Sequence, residues 1–189
     1  MMSKSQLTGN FFSSYFATIA AATGKVDRSQ LEKAAELMQQ SHTNGGKSIF
    51  VGNGGSAAMA SHLSVDLTKA AGMRAINFNE ADLLTCFAND YGYENWVARA
   101  LEAYADSNDL VVLISSSGNS KNIINGVAQA RTMGLPVITL SGFKSENPLR
   151  TLGDINFWCD SEAYNVVEMT HHVWLLAIVD FIIYKNQSQ

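Results

Sequence analysis

The passage from Ser48 to Lys69 constrains this chain more than any other. A short β-branched and aromatic run, Ile49-Phe50-Val51, feeds into Gly52-Asn53-Gly54-Gly55-Ser56 and then into the helix formers Ala57, Ala58, Met59 and Ala60. The order predicts strand, tight loop, helix. Glycines let a backbone approach a ligand closely, and the first N–H groups of a helix carry partial positive charge, so such a junction suits a phosphate or carboxylate. His62 and Asp66 are four residues apart and share a helix face, which makes them a candidate metal or acid–base pair. The loop lacks the full Gly-x-Gly-x-x-Gly dinucleotide fingerprint, and no Walker lysine follows it.

A second junction has the same grammar. Asp106-Ser107-Asn108-Asp109 signals a turn, and Leu110 to Ile114 is an unbroken apolar run suited to a strand covered on both faces. Ser115-Ser116-Ser117-Gly118-Asn119-Ser120 follows and opens a helix expected to run to about Met133. Four serines in six residues offer hydroxyl and amide donors to the oxygens of a phosphate monoester. Taken singly, each motif also fits a plain tight turn or a Ser-rich helix cap. Two of them in one parallel sheet favour a ligand, because ligands of such sheets sit beyond the carboxyl ends of the strands.

The rest of the chain alternates in the same way. An aromatic helical stripe (Phe11, Phe12, Tyr15, Phe16, Ile19) is followed by a second helix, with Asp27 and Gln30 as its capping arrangement and Asn44-Gly45-Gly46 as its end. Further strands are expected at Arg74–Phe78, Val137–Leu140 and Ile155–Trp158, with helices at Ala81–Ala88, breaking at Asn89-Asp90-Tyr91-Gly92, and at Glu94–Tyr104. Ser145 to Leu152 reads as a short helical or loop segment, and Tyr164 to about Tyr184 as a long helix, apolar nearly all round after His172 and hence buried, in part by another subunit. The expected fold is a three-layer α/β/α sandwich around a central parallel sheet. One domain is expected over 1–189, with an N-terminal helical segment at 1–46 and the α/β core with its C-terminal helix at 47–189.

A formal charge of −4 and the lack of any basic run argue against nucleic-acid binding. Met1-Met2-Ser3-Lys4-Ser5-Gln6 lacks a signal-peptide pattern and no stretch reads as a membrane span, so a cytoplasmic location without membrane contact is expected. Cys86 and Cys159, far apart in apolar settings, read as reduced core thiols.

The blocks Gly52-Asn53-Gly54-Gly55-Ser56-Ala57-Ala58 with His62 and Asp66, Asn89-Asp90-Tyr91-Gly92-Tyr93-Glu94, and Ser115 to Ser120 followed by Asn122 resemble, in that order, the sugar isomerase (SIS) domain family, and within it the bacterial phosphoheptose isomerases. That resemblance implies a homotetramer with active sites between subunits. It further implies conversion of sedoheptulose 7-phosphate to D-glycero-D-manno-heptose 7-phosphate through an enediol, towards the nucleotide-activated heptoses of lipopolysaccharide or capsule. It places sugar and phosphate contacts on Asn53, Gly54, Gly55, Ser56, Ser115, Ser116, Ser117 and Ser120, with Asn89 and Asp90 lining the site.

Many members of the family bind zinc through a His and a carboxylate on the first-cradle helix and through a Gln and a His on the last helix. Here these positions carry His62, Asp66 and Glu168, while the second family His falls at Leu176, which can neither bind zinc nor move a proton. His172, one turn after Glu168, is the nearest substitute, giving a rearranged zinc quartet of His62, Asp66, Glu168 and His172. Asp66 is then the expected base, with His172 or Glu168 as the acid. Two alternatives stay open. One is a non-catalytic member that binds phosphosugars or, as some relatives lacking that His do, the bacterial replication initiator. The other is an isomerase of another ketose phosphate.

Overall fold

Every residue of the strands β1 (Ser48–Val51), β3 (Leu110–Ser115) and β4 (Val137–Ser141) is buried, as expected of strands covered by helices on both faces. The computed structural model describes residues 4–187. The absence of a signal segment, read partly from Met1 to Ser3, thus falls in part outside the described residues. β2 (Ala75–Asn77) and β5 (Ile155–Trp158) complete a five-stranded sheet in the order β2-β1-β3-β4-β5. All four pairings are parallel, with Phe50 opposite Val112 and Leu113 opposite Thr139.

Side chains alternate across β3, so the sheet feeds two cores. Leu110, Val112 and Ile114 join Met38, Phe50, Leu63 and Trp174 on one face. That face is covered by α2 (Arg28–Thr43), α3 (Gly55–Lys69) and α7 (Tyr164–Gln187), with α1 (Lys4–Gly24) packed on α7. Val111 and Leu113 join Trp96, Val97, Leu101 and Ile123 on the other, under α4 (Ala81–Tyr91), α5 (Trp96–Tyr104) and α6 (Lys121–Thr132). Each fully buried Leu, Ile or Phe contributes roughly 1.5–3 kcal/mol of transfer free energy. The expected three-layer sandwich is the observed one.

Several local readings need correction. α4 runs three residues further than expected, through Asn89 and Asp90 to Tyr91, with Asn89 Nδ2 bonded to Asp90 Oδ1 (2.9 Å), and the chain turns at Gly92, the last residue of the expected break, whose φ of 82° favours glycine. Cys86 is exposed on that helix, with its Sγ 3.8 Å from Asp90 Oδ2; only Cys159 is buried. At the start of α2, Asp27 accepts from the amide of Ser29 (2.9 Å), while Gln30 contributes its main-chain N–H to the Asp27 carbonyl. α7 is, by length and composition, apolar enough to cross a membrane, contrary to the sequence reading, but half of its most apolar window is buried inside the fold. Its Trp174 indole donates to the Thr23 carbonyl at 2.9 Å, as befits a core helix.

The two ends of the sheet are built differently. At the amino end a buried ion pair ties the turn before β1 to the turn before β3. Asp109, fully buried, accepts from the Lys47 amide (2.9 Å), the Asp106 amide (2.8 Å) and the Lys47 ammonium (2.5 Å). Burial pulls the Lys47 ammonium down, but hydrogen bonds and charge from Asp106 and Asp109 outweigh it and hold it above its ordinary value. What the raised Lys47 value adds to stability is therefore fully present below the ordinary lysine value and is lost as pH rises through the raised one. At the carboxyl end the polar groups are left open.

Candidate active site

Because β1 and β3 are neighbours, the loops that leave them lie side by side at the carboxyl edge. Gly54 is the N-cap of α3 with φ 54°, and it supplies no side-chain cap. Ser120, the N-cap of α6, turns its Oγ to Ser115 Oγ (2.9 Å) instead of capping. Neither helix start is stopped by a capping side chain, which disfavours the Ser-rich-cap reading and leaves amide donors for an anion.

A cavity of about 150 Å³ lies between the loops, bordered by Asn53 and Ser56, by Ile114 with Ser115, Ser116, Ser117 and Ser120, and by Tyr164 and Glu168 of α7. Ser116 Oγ is buried without a partner. The Glu168 carboxylate lies so close to the start of α3 that a side-chain carbon on Gly55 would displace it. Glu168 is the one carboxylate on this cavity wall among the described residues.

Beside the cavity stands a chain of three titratable groups. Asp66 Oδ2 lies 3.2 Å from His62 Nε2, and His62 Nδ1 lies 2.8 Å from His172 Nε2. A carboxylate can only accept, so His62 donates from Nε2; its Nδ1 then accepts from His172 Nε2–H, and the free lone pair falls on His172 Nδ1. Partial burial, and after it the neighbouring His62, holds His172 below the usual imidazole value, with Asp66 acting the other way. His172 is therefore neutral at pH 7.

His171 points elsewhere: it is fully buried, with Nε2 2.9 Å from the Ser141 carbonyl. Burial, partly offset by that bond, pushes its pKa down to about 4. The unfolded chain binds this proton near pH 6.5, so stability conferred by the neutral ring is complete above that pH and drains away towards pH 4, by about 3 kcal/mol in all. Urea midpoints measured from pH 7 to pH 4 should fall more steeply for the parent protein than for His171→Gln.

The sequence-predicted residues are thus partly gathered. The serines, Asn53, Ser56 and Glu168 share the cavity, with Gly54 and Gly55 at its rim. Asn89 and Asp90 are exposed on α4 and do not line it, and Leu176 packs against the core. The zinc quartet does not assemble as placed: His62 is engaged at both ring nitrogens, so its two partners lie at different ring atoms. Among the described residues no three His, Cys, Asp or Glu side chains gather where one ion could be held.

Two residues gain weight that the sequence hid. Asn122, noted only as part of a motif, exchanges two hydrogen bonds with Asn53 (2.9 and 3.1 Å), and the Tyr93 hydroxyl donates to Asn53 Oδ1 at 3.0 Å. Asn53 and Asn122 are 69 positions apart, beyond the reach of any local pattern.

Comparison with known proteins fits this geometry. Residues 11–142 match the SIS domain family. The phosphoheptose isomerase of Fusobacterium nucleatum is 33% identical over 159 residues, covering 82% of this chain and 81% of its own. That of Aliarcobacter butzleri is 39% identical over 132 residues, 67% and 69% of the two chains. The solved phosphoheptose isomerases of Neisseria gonorrhoeae (TM-score 0.83, 27% identity, 95% and 99% coverage) and Francisella tularensis (0.84, 25%, 97% and 100%) have the same fold. With the family matched across most of its length and its serine loop and glycine loop facing one cavity, this chain belongs to the SIS domain family.

Proposed function

We propose that this protein is a phosphosugar isomerase that interconverts sedoheptulose 7-phosphate and D-glycero-D-manno-heptose 7-phosphate. The observation that carries the reading is one cavity with two uncapped helix starts, a serine cradle and a single carboxylate. The phosphate sits on the serines and the α6 amides. Glu168 then takes the proton from the carbon beside the carbonyl and returns it to the former carbonyl carbon, while the free Nδ1 of His172, one turn along α7, takes the neighbouring hydroxyl proton and passes it to the carbonyl oxygen, so that both residues end as they began. Asp66, the base expected from sequence, acts through His62, because its carboxylate is committed to that ring. Zinc held by His62, Asp66, Glu168 and His172 requires His62 to release one of its partners.

Phe11, Phe12 and Phe16 on α1, Val65 on α3, and Val173 and Tyr184 on α7 are exposed in the single chain. They support a homotetramer in which these faces are covered. A cytoplasmic enzyme supplying heptose for surface polysaccharide is the matching role.

Purified protein incubated with sedoheptulose 7-phosphate, with and without added zinc, should form the aldose. Absence of turnover under both conditions removes the reading. A second reading is favoured by Leu176 alone, a non-catalytic member that binds a phosphosugar or the replication initiator; it would show phosphosugar binding without turnover.

A further inference from the structure

Asn53 borders the cradle cavity, and its hydrogen-bonding capacity is nearly spent. Its Oδ1 accepts from both Asn122 Nδ2 (2.9 Å) and Tyr93 Oη (3.0 Å), which fills both lone pairs. One hydrogen on its Nδ2 goes to Asn122 Oδ1 (3.1 Å), so the second is its one remaining side-chain group. Asn122 is 2% exposed and uses its carboxamide on this exchange. Asn53 and Ser120 also border a neighbouring cavity of about 280 Å³ walled by Tyr93 and Asn122, so the interlock stands between the two spaces.

We propose that Asn122 and Tyr93 are positioning residues that hold the Asn53 carboxamide so that its remaining N–H is the group it offers the cradle. A carboxamide turned over would present an oxygen to an oxygen-rich anion, which repels it. Turning Asn53 over requires the buried Asn122 carboxamide to turn with it and the Tyr93 hydroxyl to change from donor to acceptor, so the three side chains hold their orientation as one unit. Asn122→Asp is the near-isosteric test: its carboxylate still accepts from Asn53 Nδ2 but cannot donate to Oδ1, so its oxygens compete for the N–H that the ligand needs.

The kinetic arm rests on the isomerase reading; the binding arm does not. In ¹⁵N-edited spectra, inorganic phosphate should shift the Asn53 side-chain amide signals of the parent protein. The shift should fall roughly threefold or more in Asn122→Asp, compared at a temperature where both proteins are folded, since a buried carboxylate also lowers the thermal midpoint. Tyr93→Phe should raise KM for sedoheptulose 7-phosphate up to about tenfold with kcat retained. Equal phosphate shifts in parent and Asn122→Asp, or none in the parent, overturn the proposal, as does a Tyr93→Phe effect confined to kcat or to the thermal midpoint. A parent that turns over no ketose phosphate but shows the expected shifts leaves the positioning role standing and removes the isomerase reading.

Discussion

Glu168→Gln is expected to lower kcat for the aldose–ketose shift by about 10²- to 10⁴-fold, the usual contribution of a positioned proton acceptor. The amide keeps the shape that fills the space over Gly55 but cannot take a proton. Phosphosugar binding should hold or tighten, because the substitution removes a negative charge from a cavity that holds an anion next to the start of α3. Steady-state kinetics with calorimetric binding of the same sugar phosphate separates the two effects. A kcat within about threefold of the parent's would take the base role away from Glu168, since general-base removal costs far more. Asp66→Asn, measured alongside, would then show whether the first reading of that residue was the better one.

The second large effect is on stability. Asp109→Ala should cost about 3–5 kcal/mol, because it strands the Lys47 ammonium and two main-chain N–H groups in a buried place. That is a large share of the roughly 5–15 kcal/mol that holds a domain together. Urea denaturation should show a much lower midpoint at an unchanged slope. Asp106→Ala is the control: its carboxylate, 74% exposed, also bonds Lys47, yet it stands mostly in water and its loss should move the midpoint little. Equal effects of the two substitutions would mean that burial is not what makes this pair matter.

What could be read from the sequence was whatever repeats locally. The apolar runs at Ile49–Val51 and Leu110–Ile114 marked their strands nearly to the residue, because a strand covered on both faces leaves no polar position to blur its ends. The spacing of four between Glu168 and His172 likewise picked out, from two adjacent histidines, the one that turns towards His62. The extension of α4 through Asn89 and Asp90 was hidden because a polar pair that satisfies itself looks, in sequence, like a turn. The exposure of Cys86 was hidden because thiols are counted with apolar residues. The Asn53–Asn122 exchange and the Asp109 network join segments more than sixty positions apart, and only the folded sheet brings them together.

α7 carries Glu168 and His172 in its first half and core side chains such as Ile178 and Ile182 in its second. About 15 Å of helix separates Ile178 from Glu168, so a tilt of roughly 4° pivoting there swings the carboxylate by about 1 Å. A displacement of that size can slow a reaction about a hundredfold. Conservative resizing deep in the hydrophobic interior therefore registers as a slow enzyme well before it registers as a weak fold.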